Sequence, residues 1–359
     1  MDDSSKLVFD IFIRVCDTKE GFDYTSLLQV NKTLKTLILK NANKILMNRE
    51  SIVTIDEKES AKKIPKIVEK YKNLKNLSLR KFPGKNLSSF KSFEYLTELN
   101  VSCASRLIKL PKNLPNLKIL DCAASNIKCV PETYTKLEEL DISECTVKHN
   151  AIPDTLINLK KLDCFCSDSK YGQFTLPTTL INLERLNIGQ SGIRFLSNSF
   201  TKLKYLDVYN CFIQVPNTYV NLRVLDYFGC NVTVLPETFK ELRSLNISAN
   251  PIENLPITYT KLVKLRMTAT KIRKIPTSYT SLQKIYYNGT NFKELPRQKI
   301  KFLERKTVYY NNKYLNLNSD NYLSVNRIMK GDSWPVVPNF KYDDESEDDD
   351  VDSDEEYLV

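Results

Sequence analysis

From Leu74 to about Lys301 the apolar positions return in the same order. In LRSLNISANPIENLPITYTK, residues 242–261, Leu242, Leu245 and Ile247 are followed by Ile252 and Leu255, and Pro256 and Tyr259 close the stretch. Units of this pattern begin at Leu74, Leu96, Leu117, Leu137, Leu159, Leu183, Leu203, Leu222, Leu242, Leu262 and Leu282, giving eleven tandem repeats of 19 to 24 residues. Leu245 and Ile247 alternate with Asn246 and Ser248, a period of two that predicts a short strand with one face inward. Counted from the first Leu of a unit, slots 1, 4, 6, 11 and 14 point into the coil, and slots 3, 5 and 7 face out. The strands of successive units are expected to stack as one parallel sheet. The few apolar side chains of one unit cannot offset the entropy of ordering about twenty residues, so no unit folds alone. Stability has to come from stacking, with atypical units at the two ends.

Self-similarity at this period is the signature of a solenoid, and the L-x-x-L-x-L core resembles the leucine-rich repeat family. The resemblance implies an α/β leucine-rich repeat solenoid with a parallel sheet on the concave face, a helical N-terminal module and a C-terminal cap. In that family slot 9 is usually Asn, whose amide bonds backbone groups of the next coil. Here only Asn250 is Asn, while Ser125, Cys145, Ser191, Cys211, Cys230, Thr270 and Thr290 keep a small group with at least a weak donor. Cys122 and Cys164 fall at slot 6, where a thiol is a small hydrophobe. Pro131, Pro153, Pro177, Pro216, Pro236, Pro256, Pro276 and Pro296 close the inward segment, where a missing N–H costs nothing. The aromatics that follow, from Tyr134 to Tyr279, are expected to be core rather than a ligand box.

The ends break the pattern. In residues 1–50, Leu7, Ile11 and Val15 share one helical face and Leu27, Val30, Leu34 and Leu37 another. The stretches LVFDIFIRV and LLQVNKTLKTLI resemble an F-box, with Ile11-Phe12 at its I-F step and Val30-Asn31-Lys32 at its V-[C/N]-[K/R] step. The usual Leu-Pro opening is absent, and Leu34 stands where Trp is common. The resemblance implies that Ile11, Phe12, Leu27, Leu28 and Val30 dock a Skp1-type adaptor of a cullin ubiquitin ligase. The other reading is a plain helical cap over the first coil. Residues 51–73 are expected to supply a helical linker and N-cap, with Ile64, Ile67, Val68 and Tyr71 on one face. The longest unit has its excess in SDSKYGQF, residues 167–174, a loop expected to bulge from the side. Residues 302–342 should close the C-terminal coil with a helix near 319–329, and residues 343–359 are too charged to fold. Lys-, Asn- and Tyr-rich repeats behind an F-box-like start resemble proteins of giant DNA viruses and some amoebae.

Charge and chemistry narrow the function. Residues 343–356 hold eleven acidic side chains and no basic ones, so the formal charge of +10 conceals +21 on residues 1–342. Such a body could attract a polyanion, although Lys and Arg at exposed repeat positions account for it more simply. A protein is the expected partner, in preference to nucleic acid. No stretch has the length of a membrane span or of a standard signal, and cysteines placed on the ladder suit a reducing compartment. A cytoplasmic monomer is expected, in a host cytoplasm if viral. His149 is the only histidine, which removes most His-based triads and multi-histidine metal sites. Cys164-Phe165-Cys166 lacks a second ligand pair for zinc, and Gly84-Lys85 lacks the rest of a phosphate-binding loop. No catalytic residue, metal or cofactor is therefore assigned.

What remains is binding by the array. Outward slots of the fourth to eighth units present Asp163, Phe165, Tyr205, Asp207, Tyr209, Asp226 and Phe228. Exposed aromatics beside carboxylates are the composition of a hot spot for a partner bearing Lys or Arg. Asp and Asn at slot 5 are common in leucine-rich repeats, and here Asp121, Asp141 and Asn187 repeat them, so Phe165, Tyr209 and Phe228 carry the expectation.

Overall fold

The computed structural model describes residues 52–54, 74–87, 93–169, 174–287, 306–310 and 313–317. The helical module 1–50, the linker helix expected within 55–73, the C-terminal helix and the acidic tail lie outside them. In chain order the strands are β1 (Ile52–Thr54), β2 (Asn76–Ser78), β3 (Glu98–Asn100), β4 (Ile119–Asp121), β5 (Glu139–Asp141), β6 (Thr146–Val147), β7 (Lys161–Asp163), β8 (Asp168–Ser169), β9 (Arg185–Asn187), β10 (Tyr205–Asp207), β11 (Val224–Asp226), β12 (Ser244–Asn246), β13 (Lys264–Arg266), β14 (Lys284–Tyr286), β15 (Lys306–Tyr310) and β16 (Lys313–Leu317). Every predicted unit supplies one strand at slots 3 to 5. These pair in sequence order and in register into a parallel sheet, so that Leu206 stands beside Leu186 and Leu225.

The sheet is longer than the repeats predict. β1 pairs parallel with β2 and adds a strand from the segment read as linker. At the other end β15 pairs parallel with β14 and β16 returns antiparallel, closing the sheet as a hairpin. The long fifth unit does not simply bulge. Asp168–Ser169 pairs with Thr146–Val147 in a small second sheet, and Phe174 is fully buried.

Inward slots carry the core as the pattern requires. Leu203, Leu206 and Val208 are fully buried, as are Cys122 and Cys164 at slot 6. The aromatics Tyr134, Phe200, Tyr219, Phe239, Tyr259 and Tyr279 are buried too, and several hydroxyls reach the preceding unit. Tyr259 donates to the carbonyl of Pro236 at 2.7 Å and Tyr279 to that of Pro256 at 2.8 Å. Among the described residues the return segments hold no helix. The Pro at the close of the inward segment starts a single turn, in which the Tyr279 amide reaches back to the carbonyl of Pro276 at 3.2 Å, and only the four residues 280–283 then remain before the next strand. Thr or Ser in that turn ties each unit to the one before: Thr218 donates to Asn198 O at 2.9 Å, Thr238 to Asn217 O at 2.8 Å and Thr258 to Glu237 O at 2.8 Å.

Slot 9 does the same inside the coil. Cys145, Ser167, Cys211 and Cys230 point their Sγ or Oγ at the slot-6 carbonyl of the preceding unit, at 3.2, 2.5, 3.0 and 3.0 Å. Asn250 does more: its amide donates to Tyr227 O at 2.6 Å and its oxygen accepts from the amides of Cys230 and Val232. The bonding runs to the preceding coil, not to the next one as the family pattern led us to expect. Burial pushes the Cys122 and Cys164 thiols far up and the Cys230 thiol to about 12, so these groups stay protonated.

One constraint has no sequence signature. In ten successive units, from Leu74 to Leu262, slot 8 has a positive φ: Lys81, Cys103, Ala124, Glu144, Cys166, Gln190, Asn210, Gly229, Ala249 and Ala269. This turn aims the slot-8 amide sideways at the slot-7 carbonyl of the next unit, as from Ala249 to Thr268 at 2.8 Å. Gly229 is required for a second reason, because a Cβ there would stand 2.2 Å from Asn210 Oδ1.

Two substitutions test these points by thermal or denaturant unfolding. Asn250→Ala leaves the buried Tyr227 carbonyl and Cys230 amide and the part-buried Val232 amide without this partner and should cost at least ~2 kcal/mol. Ala249→Gly relieves a left-handed residue worth ~1 to 2 kcal/mol at an entropic cost of ~0.5 to 1 kcal/mol, so it should raise stability slightly. A drop with the glycine would show that the turn is not strained.

Candidate functional site

The outward face of the sheet is built on a repeated turn. At slot 5 the side-chain oxygen of Asp or Asn accepts the amide of slot 7 in the same unit: Asp163 from Phe165 at 2.9 Å, Asn187 from Gly189 at 3.0 Å, Asp207 from Tyr209 at 2.8 Å and Asp226 from Phe228 at 3.0 Å. Laterally, Asn187 donates to the second oxygen of Asp163 at 3.1 Å and Asn246 to that of Asp226 at 2.9 Å. The carboxylates expected to meet a partner freely are thus half-buried turn caps, with both oxygens of Asp163 and Asp226 and at least one of Asp207 already committed. An Asx side chain next to a strand end is the natural acceptor for the amide two residues on.

The aromatics divide. Tyr205 is not exposed: at slot 3 it is 9% accessible, packed with Val224 and Val263, and the Arg185 guanidinium lies 4.0 Å from its ring centroid. Expected exposure fails there because bulky side chains about 5 Å apart on neighbouring strands cover each other. Phe165, Tyr209 and Phe228 at slot 7 are half-exposed. Tyr209 and Phe228 stack with centroids 4.9 Å apart and planes 19° apart. Phe165 lies one unit further off, across Gly189. A Cβ at Gly189 would stand 3.1 Å from Phe165 Cδ2 and 3.2 Å from Tyr209 Cβ, so the glycine lets the Phe165 ring lean toward Tyr209. Three rings form one shelf. Gly189 was not singled out from the sequence, although a glycine at slot 7 between aromatic slot-7 residues is a visible signal.

Beside the shelf, on the N-terminal side, Asp121, Asp141 and Asp163 stand on consecutive strands of the sheet. They line a depression of about 290 Å³ with Glu139, Lys161 and Arg185. Burial pushes the Asp121 and Asp163 carboxyls up, opposed by the turn amides of Ala123 and Phe165, and the charge of Asp141 between them adds to the rise. Along slot 2 the row is instead neutralised: Lys118 and Lys160 reach Glu138 at 2.9 and 2.6 Å, and Lys204 reaches Glu184 at 2.7 Å. The hydrogen bonds from Lys160 and then Lys118 hold the Glu138 carboxyl down. Further along the sheet the face turns basic, with Arg223, Arg243, Lys264, Arg266 and Lys284. Cations already stand over two rings of the face, Arg185 over Tyr205 and Arg266 over Tyr286 at 5.1 Å. Among the described residues none stands over Tyr209 or Phe228.

This arrangement can hold a cation against aromatic faces and carboxylates. The adaptor-docking residues Ile11, Phe12, Leu27, Leu28 and Val30 lie outside the described residues. No described helix is long and apolar enough to cross a membrane.

No protein-family model matches the chain, and no curated protein is similar to it in sequence. Solved structures are similar in fold. The functional domain of InlJ from Listeria monocytogenes, which includes a cysteine ladder, superposes with a TM-score of 0.55 and 19% identity, over 63% of this chain and 51% of that one. A TLR13–ssRNA13 complex gives a TM-score of 0.52 and 20% identity, over 74% and 44%. The leucine-rich repeat ectodomain of the receptor kinase GASSHO1/SCHENGEN3 from Arabidopsis thaliana, in complex with CASPARIAN STRIP INTEGRITY FACTOR 2, gives 0.50 and 16%, over 68% and 37%. The chain spans about half or less of the length of these three. The fold is the leucine-rich repeat solenoid.

The run of three carboxylates predicts a pH dependence. Asp121 and Asp163 hold protons more tightly folded than unfolded, so their contribution is full below the ordinary aspartate range and is lost as pH rises through their raised values. Asp141→Asn keeps the acceptor for Ser143 and removes the central charge. It should flatten that dependence and raise the unfolding midpoint at neutral pH by about 2 °C. A lowered midpoint would show that the three charges do not oppose folding.

Proposed function

We propose that this chain is a binding module without chemistry of its own, which holds a Lys- or Arg-bearing segment of a protein partner on the concave face of the third to eighth units. The observation that carries the proposal is the shelf of Phe165, Tyr209 and Phe228 beside Asp121, Asp141 and Asp163. Stacked rings offer faces to a guanidinium or ammonium, and the half-buried carboxylates supply a negative field in a partly dry setting. Each side chain is fixed by a turn or a neighbouring ring, so little entropy is lost on binding. The solved structures support the reading in kind, since one of them is a leucine-rich repeat ectodomain in complex with a named factor. The thiols of Cys145, Cys211 and Cys230 are buried ladder donors, which fits a scaffold better than a nucleophile.

The adaptor role is the finer part of the proposal. With residues 1–50 as an F-box, Ile11, Phe12, Leu27, Leu28 and Val30 would engage a Skp1-type adaptor, and the solenoid would present its cargo for ubiquitin transfer by other subunits. The competing reading makes those side chains a cap and the protein a free-standing scaffold.

Replacing Tyr209 and Phe228 together by Ala should weaken capture of a purified partner at least tenfold, about 1.4 kcal/mol or more, with an unchanged circular dichroism spectrum. Unchanged affinity would remove the shelf from the binding site. Mixing the intact protein with a purified Skp1-type adaptor decides the second part: no complex by sedimentation at micromolar concentrations leaves the scaffold reading.

A further inference from the structure

The residue just before the first Leu of each unit forms a row of its own, on the side of the face where the chain enters the strands. Asn116, Asn158, Asn182 and Asn221 stand there, and each donates its amide at 2.8 Å to a carbonyl of the preceding unit, at Glu94, Thr135, Ile157 and Thr201. Lysines take the same place in units between them. Lys136 donates to Asn116 Oδ1 and Lys202 to Asn182 Oδ1, both at 2.6 Å. Each of these asparagines is a fixed seat for a lysine, because its amide end is already tied to the backbone behind it. The seat orients the ammonium without cancelling its charge. Lys261 shows the contrast, since it occupies the same place but sits on Glu241, whose two oxygens take it at 2.7 and 2.6 Å.

With slot 2 this row lines a groove of about 450 Å³ across the third to seventh units, whose charged residues are Lys118, Lys136, Lys160 and Lys202 against Glu138 and Glu184, a formal +2. Both carboxylates are already engaged. Glu138 holds Lys118 and Lys160 at 2.9 and 2.6 Å, and Glu184 holds Lys204 at 2.7 Å. Lys136 and Lys202 are exposed, and neither has a carboxylate partner among the described residues. They belong to units three strands apart, from β5 by way of β7 and β9 to β10, about 14 Å at ~4.8 Å per strand. An extended chain covers that distance in about four residues, at ~3.3 Å each.

We propose that this groove binds an extended acidic segment of a protein partner, laid across the strands, with carboxylates about four residues apart meeting Lys136 and Lys202. The two glutamates decide between anionic ligands. A continuous polyanion such as a nucleic acid would press phosphates against Glu138 and Glu184, whereas a peptide places neutral side chains between its two acids. The groove lies on the same strands as the depression of Asp121, Asp141 and Asp163, offset toward the strand starts, so the face offers two tracks of opposite charge. Its ion pairs are exposed, and the hold weakens as salt rises. The inference does not rest on the aromatic shelf.

The test uses the full-length protein at low salt and a fluorescein-labelled Gly/Ser peptide carrying two Glu-Glu pairs about four residues apart. Fluorescence anisotropy should show binding that weakens roughly fivefold or more in the double variant Lys136→Gln/Lys202→Gln, with an unchanged unfolding midpoint. A peptide of the same composition with its Glu residues contiguous should bind roughly threefold more weakly than the spaced one. Lys112→Gln/Lys240→Gln removes two exposed charges outside the groove and should change the affinity less than about twofold. Replacing Tyr209 and Phe228 by Ala should leave the peptide affinity unchanged, which separates this site from the shelf. An equal loss in the two lysine variants overturns the proposal and assigns the binding to the net charge of the body. Equal affinity for the two peptides overturns it in favour of an unselective polyanion surface. Absence of binding at millimolar peptide overturns it outright.

Discussion

The backbone of each unit is satisfied by its neighbours rather than by itself, and the rest of the molecule follows from that. Strand amides bond the adjacent strand, the slot-8 turn sends its amide to the next unit, and the slot-9 side chain sends its donor to the previous one. A donor at slot 9 need only be small and aimed at one carbonyl, so Cys, Ser and Asn interchange there, while Thr270 donates to Met267 O of its own unit. The thiol is the weakest of these, but at 3.0 Å in a dry interior it still spares a buried carbonyl from standing alone. The left-handed turn is the counterpart on the backbone. Ten units adopt it with mostly unsuited residues because the sideways bond it creates is worth more than the local strain.

The same constraint builds the outward face. Strands about 4.8 Å apart and in exact register place like slots side by side, so a residue type repeated in the sequence becomes a row in space. One row gives ion pairs that cancel, as at Lys118, Glu138 and Lys160. Another gives three carboxylates that repel, at Asp121, Asp141 and Asp163. A fold that needs only turn caps at slot 5 is served as well by Asn, which stands there at 100, 187 and 246. The aromatic shelf is shaped by the same register, since Gly189 removes one side chain from the row and the adjacent ring takes the space.

Much of this was legible in the sequence. The period, the inward slots, the eleven strands, the small donors at slot 9 and the buried line of aromatics follow from residue type and spacing, because each unit sits in the same local environment as the last. The rows of the outward face were legible too, down to the residues of the shelf. Only the tertiary structure decided how exposed those residues are. Tyr205 lies under Arg185, and the carboxylates of Asp163, Asp207 and Asp226 each have an oxygen held by a slot-7 amide. The left-handed slot 8, the strand at Ile52–Thr54 and the hairpin that closes the sheet were likewise decided by the stack. The reason is one of range. Burial and periodicity act along a unit and leave their trace in its sequence, whereas lateral packing depends on what stands in the same slot one strand away, some twenty residues distant along the chain.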